Sequence, residues 1–345
     1  MQEAPINDEA GNGNLYTIQP IPGKGRGLIA ISNIPKGTRI LSELPLFRIS
    51  YTESNRQVLT GHIAKALKYL DDTKQRAFLD LQNVYGIGDG PFLGIARSNV
   101  MPLGPEAPEG GLFLDASRIN HSCRPNGQKT WNANIGSLTV HAVRDIEQGE
   151  EITISYLDIA MDLCSAPHLQ RWKSDHRIQT VAQLERWLVF YFSNFNTIDY
   201  EGGLLLALSI FKELKVEGAC DARFPSVYHT AFKMAVKNGD TTRAKIFAER
   251  AYAARVLVEG DDSPEAVRLA QFVQQPTLHP LYRPSADATE VRLPRNMSES
   301  KFEAWLWKQR PDPSEDEDSD ELDELDEFDE FPSEFESEDE YDDDL

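Results

Sequence analysis

Apolar positions follow two different rhythms along the 345 residues. Between Tyr16 and Tyr51 the short β-prone runs GLIAIS and TRILSELPLFRIS are broken by Gly and Pro, as in a small mixed sheet. Leu59, Ile63, Leu67 and Leu70, followed by Ala77, Phe78 and Leu81, recur at helical spacing and predict a helical insertion over about 55–85. Strand signals return at FLGIARSNV, GLFLDAS, SLTVHAVRDI and EEITISYL. After Leu157 the rhythm becomes helical. Leu184, Trp187, Leu188, Tyr191 and Phe195 mark an amphipathic helix, and LLLALSIFKELK and VYHTAFKMAVKN continue the pattern. Asp240 is placed to cap a helix running through Phe247, Ala251 and Tyr252 to Gly260, and Ser263-Pro264 is a helix start for VRLAQFV.

These signals predict an α+β chain. A β-rich domain with a helical insertion spans 15–158, an α-helical C-terminal domain spans 181–280, and a Pro-containing linker over 281–311 holds one short helix at FEAWLWK. The pairing of small and large residues in the helices is similar to tetratricopeptide-like hairpins, although no repeat of fixed period is found. The polar residues 1–14 and the acidic residues 312–345 are expected to be disordered.

Charge sharpens the picture. The segment Asp312–Leu345 carries 21 Asp and Glu and no Lys or Arg; removing those from the chain's 56 acidic residues leaves 35, equal to the 35 Lys and Arg. A body with no net positive charge gives no support for direct nucleic-acid binding. The tail alternates carboxylates with Leu322, Leu325, Phe328, Phe331, Phe335 and Tyr341, which makes it either a solvating segment or a docking arm for basic proteins such as histones. No apolar run approaches the roughly 18 residues that span a bilayer, and the polar start MQEAPINDEAGNGN is neither a signal nor a transit peptide. The expected location is intracellular, in nucleus, cytoplasm or both, with no membrane association and a monomeric state. Cys123, Cys164 and Cys220 are odd in number and widely spaced, which is no disulfide framework.

Three segments carry candidate chemistry. Gly23-Lys24-Gly25-Arg26-Gly27-Leu28 spaces its glycines so that backbone bends tightly and approaches a ligand closely, although taken alone it reads more readily as a flexible turn. Arg118-Ile119-Asn120-His121-Ser122-Cys123-Arg124-Pro125-Asn126 is a polar turn by composition. Gly149-Glu150-Glu151-Ile152-Thr153-Ile154-Ser155-Tyr156 is a turn and an alternating strand ending in a tyrosine.

Together, and in this order, the three resemble the SET-domain family: a glycine motif, the Asn-His-Ser-Cys-x-Pro-Asn hallmark and the final Gly-Glu-Glu-x-x-x-x-Tyr. The likeness runs over roughly Leu15 to Leu157. The helical insertion and helical second half look most like the SMYD branch and related fungal SET proteins, without a MYND finger. The resemblance implies a fold in which the Asn120–Asn126 segment threads beside the strand ending at Tyr156, and a protein-lysine N-methyltransferase activity with S-adenosyl-L-methionine as cofactor. By the same resemblance, Lys24 and Arg26 contact the carboxylate and methionyl portion of the cofactor, Asn120 and His121 hold its amino group and adenine, Asn99 adds a further contact, and Tyr156 is the catalytic tyrosine. The implied partner is a protein with a target lysine, a histone or another basic protein.

The chain departs from the family beyond Tyr156. Relatives continue with an aromatic residue and a Cys-x-Cys-x-x-Cys segment that binds zinc together with the hallmark Cys. Here residues 159–180 form only a shortened remnant containing Met161 and Cys164, and three cysteines do not make a four-thiolate site. Cys123, Cys164 and His168 offer at most three ligands, so zinc is not expected. The alternative to an enzyme is an inactive SET scaffold that binds basic partners through its helical domain and tail.

Overall fold

In the computed structural model of the chain, the Gly- and Pro-punctuated runs before Tyr51 form four strands: β1 (Tyr16–Ile21), β2 (Gly25–Ala30), β3 (Arg39–Glu43) and β4 (Phe47–Ser50). The structure describes residues 15–86, 88, 90–105, 107–156, 168–193, 200–218, 221–284, 293 and 297–309, without the side chains of 168–175 and 189–193. The N-terminal 14 residues, Cys164, Cys220, the remnant up to residue 167 and the acidic tail lie outside the described residues. The chain divides into two units at Gln309, and the second, 310–345, is wholly outside them.

Helical spacing in the insertion produces α1 (Arg56–Lys68), opened by the Asn55 side chain accepting from the Gln57 and Val58 amides, and α2 (Asp72–Leu79), capped by Asp71. Their inward residues Ile63, Leu67 and Phe78 pack with Leu93 and Leu112 into a small core of their own. The segment FLGIARSNV, expected as a strand, is instead the helix α3 (Pro91–Asn99). Leu93, Gly94, Ile95 and Ala96 are all buried, so no periodic contrast marks the helix, while Pro91 right after Gly90 is a first-turn proline. The inserted helices therefore extend to Asn99, past the expected limit near residue 85.

Short strands follow: β5 (Met101–Pro102), β6 (Glu109–Leu112), β7 (Asn120–His121), β8 (Gly127–Asn132), β9 (Ser137–Ala142) and β10 (Glu151–Ile154). They make three small sheets, ordered β1-β2-β10-β7, β3-β9-β8 and β4-β6-β5. In the first, β10 runs antiparallel to β2 and parallel to β7, with Thr153 opposite Asn120 and Ile154 opposite His121. Leu28, Ile34, Ile40, Phe113, Ile119, Val140, Ile152 and Ile154 fill the core these sheets enclose.

The second half is α4 (His168–Ser193), α5 (Tyr200–Glu217), α6 (Arg223–Lys237), α7 (Thr241–Glu259), α8 (Pro264–Gln274) and α9 (Glu299–Leu306), with α4 to α8 each packed on the next. Asp240 and Ser263 cap α7 and α8 by accepting from the Arg243 and Ala266 amides, as their positions predict. Leu204, Ala207, Phe232, Phe247 and Leu269 build the core, and α9, expected within a linker, adds Leu306 and Trp307 to it. Halves meet where Asp262 accepts from Arg39 and, at 2.9 Å, from Asn132, beside Gly260. A Cβ there would stand 2.5 Å from the Arg39 guanidinium and 3.1 Å from His141 Nε2, at a φ of +89° that favours glycine. No helix of the described residues is long and apolar enough to cross a membrane.

Candidate active site

The glycines of the first motif do two different jobs. Gly23 and Gly25 turn the chain from β1 into β2 with φ of +75° and +79°, and the Lys24 amide closes the turn on the Ile21 carbonyl at 3.0 Å. No atom lies within 4 Å of where their side chains would begin, so backbone at this tip faces open space. Gly27 is needed for close approach: a Cβ there would meet Ile21, Asn120 Nδ2 and Glu151 Oε1 at 2.7, 2.8 and 2.9 Å. The Asn120 side chain lies across it, donating to Glu151 Oε1 at 2.8 Å and to the Arg26 carbonyl at 3.3 Å.

Glu151 is the hub of this corner. Its other oxygen receives Lys24 Nζ at 2.9 Å, so one carboxylate ties the glycine turn to the Asn120 segment. Arg26 points away from that pair, to Asp80 at 2.9 Å, and Asp80 also takes Arg118 Nη2 at 3.1 Å. Asp80 ends α2, and Arg118 also donates to the Ala77 carbonyl of that helix at 3.4 Å, so the end of α2 ties the helical insertion to the site.

Asn126 secures the threaded crossing. It is 1 % exposed, its Oδ1 accepts the Thr153 amide at 2.8 Å, and its Nδ2 donates to the Glu151 carbonyl at 2.9 Å and to Glu150 Oε1 at 3.1 Å. One side chain thus replaces two strand-to-strand hydrogen bonds where β7 has already ended. Upstream, the Glu43 carboxyl accepts the amides of Leu114, Asp115 and Ala116 at 2.6 to 3.2 Å, and Tyr16 donates to Asp115 at 2.7 Å. These bonds shape the turn that delivers Asn120. Burial, with Asp115 nearby, pushes the Glu43 carboxyl up to about 7 against the opposing pull of the three amides. Glu43 as a residue keeps some exposure, but its carboxyl end is enclosed.

Tyr156 stands two residues beyond β10. Its amide donates to His121 Nδ1 at 3.0 Å and its hydroxyl to the Ile119 carbonyl at 2.8 Å, with the two rings 5.4 Å apart. Because His121 Nδ1 accepts, a neutral ring carries its proton on Nε2, which lies 3.4 Å from Cys123 Sγ. Burial, then Glu151, raises the phenol above its usual range, although the residue as a whole is 52 % exposed. The phenol therefore stays protonated near neutral pH and keeps an oxygen lone pair free to accept a further hydrogen bond.

Five of the six residues singled out from the sequence, Lys24, Arg26, Asn120, His121 and Tyr156, come together here. Asn99 does not join them through its side chain. It is buried at the end of α3, not in a strand, and Nδ2 donates to the carbonyls of Gln82 and Ile95, both at 2.7 Å. Only its backbone carbonyl approaches, accepting from Ser117 at 3.2 Å. Glu151 and Asn126 belong to the quoted motifs but were not singled out. Two adjacent acids after a turn glycine, and an Asn after a proline, are the signals they leave. Glu43 and Asp80 leave none.

The SET domain family model matches residues 25–157. The histone-lysine N-methyltransferase set5 of Schizosaccharomyces pombe is 33 % identical over 314 residues, covering 85 % of this chain and 94 % of that protein. Shorter likenesses reach human histone-lysine N-methyltransferase SMYD3, 51 % identical over 51 residues (15 % of this chain, 11 % of that one). Mouse protein-lysine N-trimethyltransferase SMYD5 is 52 % identical over 48 residues (14 % and 12 %). These relatives carry enzyme names, which favours catalysis over the inactive scaffold. With a relative of this identity along nearly its whole length, and with the glycine turn, the threaded Asn120 segment and Tyr156 in one place, the chain belongs to the SET-domain family of protein-lysine methyltransferases.

Proposed function

We propose that this corner of the molecule binds S-adenosyl-L-methionine and methylates a lysine side chain of a histone or another basic protein, in the nucleus or cytoplasm. SET methyltransferases use this cofactor generally. The chain's residues suit it: the glycine turn offers open backbone, Lys24 and Arg26 supply cations for a carboxylate, and Asn120 and His121 offer backbone groups at the end of a two-residue strand. The cofactor, when bound, supplies a methyl group on a cationic sulfonium. Lys24 and Arg26 reach a carboxylate by exchanging their bonds to Glu151 and Asp80, since both cationic side chains are about half exposed. Zinc has no place in this reading.

The observation that carries it is the position of the Tyr156 hydroxyl. It is held by the Ile119 carbonyl, one residue before Asn120, so the phenol and the cofactor segment share one rigid connection. Methyl transfer to an amine asks chiefly for alignment, worth several kcal/mol. The incoming lysine must be neutral, and a cationic sulfonium beside it would disfavour the ammonium form. Tyr156 Oη, donating to Ile119, accepts from the amine N–H and orients its lone pair; His121, with Nδ1 occupied by the Tyr156 amide, is a positioning residue and not a base. Calorimetric titration of S-adenosyl-L-methionine into the chain is the test. Micromolar binding that is lost in Asn120→Ala supports the reading, and its absence in a demonstrably folded protein removes it.

A further inference from the structure

Away from that site, basic side chains from four successive segments of the helical half gather in one place. His229 and Lys233 lie one turn apart on α6, Arg255 comes from α7, Arg268 from α8, and His279 from the turn that follows. All four of the others act electrostatically on His229. Among the described residues only two carboxylates pair with them, Glu259 with Arg255 and Glu265 with Arg268, and none pairs with Lys233. Three permanent cations thus face two acids.

Two nitrogens in this group are buried without any hydrogen-bond partner, His229 Nε2 and Arg255 Nε, on residues only 6 % and 9 % exposed. Such orphans cost stability, and buried polar groups without partners are rare enough that an unseen ion or water is a standard reason for them. The ring positions are fixed from below. Phe232 lies 6.0 Å from His229 and 5.2 Å from His279, and Phe272 lies 4.9 Å from His279. The cluster is open at its rim, because the Arg268 side chain is 52 % exposed.

We propose that His229, Lys233, Arg255, Arg268 and His279 form a receptor for a phosphate group. Donors that approach from four segments suit a tetrahedral oxyanion better than a planar carboxylate. An excess of positive charge, with the His229 imidazole able to take up a proton when an anion arrives and His279, its Nδ1 accepting from the Leu281 amide, offering Nε2–H, suits a dianion. Burial and the neighbouring cations hold His229 and His279 below their ordinary range and lower Lys233; a bound anion reverses that pressure. This site stands apart from the methyl-transfer reading and survives its failure.

The experiment is thermal unfolding of the full chain against inorganic phosphate, with chloride at matched ionic strength and acetate as controls, in the wild type, Arg268→Ala and Lys233→Gln. Neither substituted side chain is fully buried, so both variants are expected to fold, which circular dichroism checks. A saturable rise in melting temperature with phosphate, at least tenfold weaker in concentration dependence in both variants, is the expected result. A phosphoserine peptide that binds more tightly than the free ion supports a receptor for a phosphorylated chain, whereas binding no tighter supports one for a small phosphate. Equal responses to phosphate and chloride, acetate as effective as phosphate, or variants indistinguishable from wild type would each overturn the proposal.

Discussion

Around Tyr156 the chain is held by polar side chains bonded to backbone: Asn126 to β10, Glu43 to the turn before Asn120, and Tyr156 itself to Ile119. In the helical half the centre is made of rings. Trp307 lies 4.8 Å from Phe247 and 6.0 Å from Phe211, and Tyr228 stacks on it at 6.3 Å. Apolar packing tolerates many arrangements of similar volume, whereas a hydrogen bond between one named atom and another admits a single arrangement. The site is built from the second kind of contact and supported by the first. Substitutions in the two halves should therefore separate activity from stability.

The largest effect is expected in the helical half. Trp307 is 1 % exposed, and Trp307→Ala should lower unfolding free energy by about 3–5 kcal/mol in urea titration. Cofactor affinity, measured well below the unfolding transition, should stay within a factor of about two, since that much corresponds to only a few tenths of a kcal/mol. A fall in affinity that tracks the stability loss would show that the halves do not separate. The converse comes next. Tyr156→Phe should reduce kcat about 10²-fold or more, as loss of one aligned polar group does in other active sites, with the urea midpoint nearly unchanged. If stability drops by several kcal/mol instead, the hydroxyl serves the Ile119 carbonyl and not the substrate.

What could be read from the sequence divides along the same line. Apolar spacing found α1, α2 and α4 to α8, and the caps at Asp240 and Ser263 lie where expected, because periodic burial and capping are local properties. Periodicity says nothing where burial is not periodic: α3 is buried on several sides and reads as a strand, and β8, with Gln128, Lys129 and Thr130 half-buried, carries no strand signal. The motif residues were legible as a set through the family likeness, and five of them meet. Glu43 and Asp80 were not, because their partners lie far along the chain, 54 and 38 residues away for Asp80 and up to 73 for Glu43, and neither sits in a recognisable motif. Asn126 falls between, visible in the motif but with its bonding hidden. Asn126→Ala would strand the Thr153 amide and the Glu151 carbonyl and should cost about 1–3 kcal/mol, less than Trp307→Ala. It should also weaken cofactor binding, which Trp307→Ala should not; an unchanged affinity would mean the threaded crossing holds without this tie.

The smallest effect is a pH signature with opposite sign in the two halves. Glu43 binds its proton more tightly in the folded chain, near pH 7, than in the unfolded chain, near 4.5. Its contribution to stability is thus fully present below about pH 4.5 and is lost as pH rises through 7. His229 is the reverse: burial, then Lys233 and Arg268, lower it from 6.5 to about 3, so its contribution is present above 6.5 and is lost as pH falls towards 3. In phosphate-free buffer, Glu43→Gln should gain on the wild type by on the order of 1–2 kcal/mol as pH is raised across that window, a part of the nominal shift left after relaxation around the carboxyl. His229→Gln should gain on the wild type as pH is lowered. Urea titrations at half-unit pH steps resolve both trends. Parallel curves for Glu43→Gln and the wild type would mean that Glu43 is already ionised in the folded chain at pH 5. The amides of Leu114, Asp115 and Ala116 would then outweigh burial, making the turn before Asn120 an anion-stabilised element and not a protonation-sensitive one.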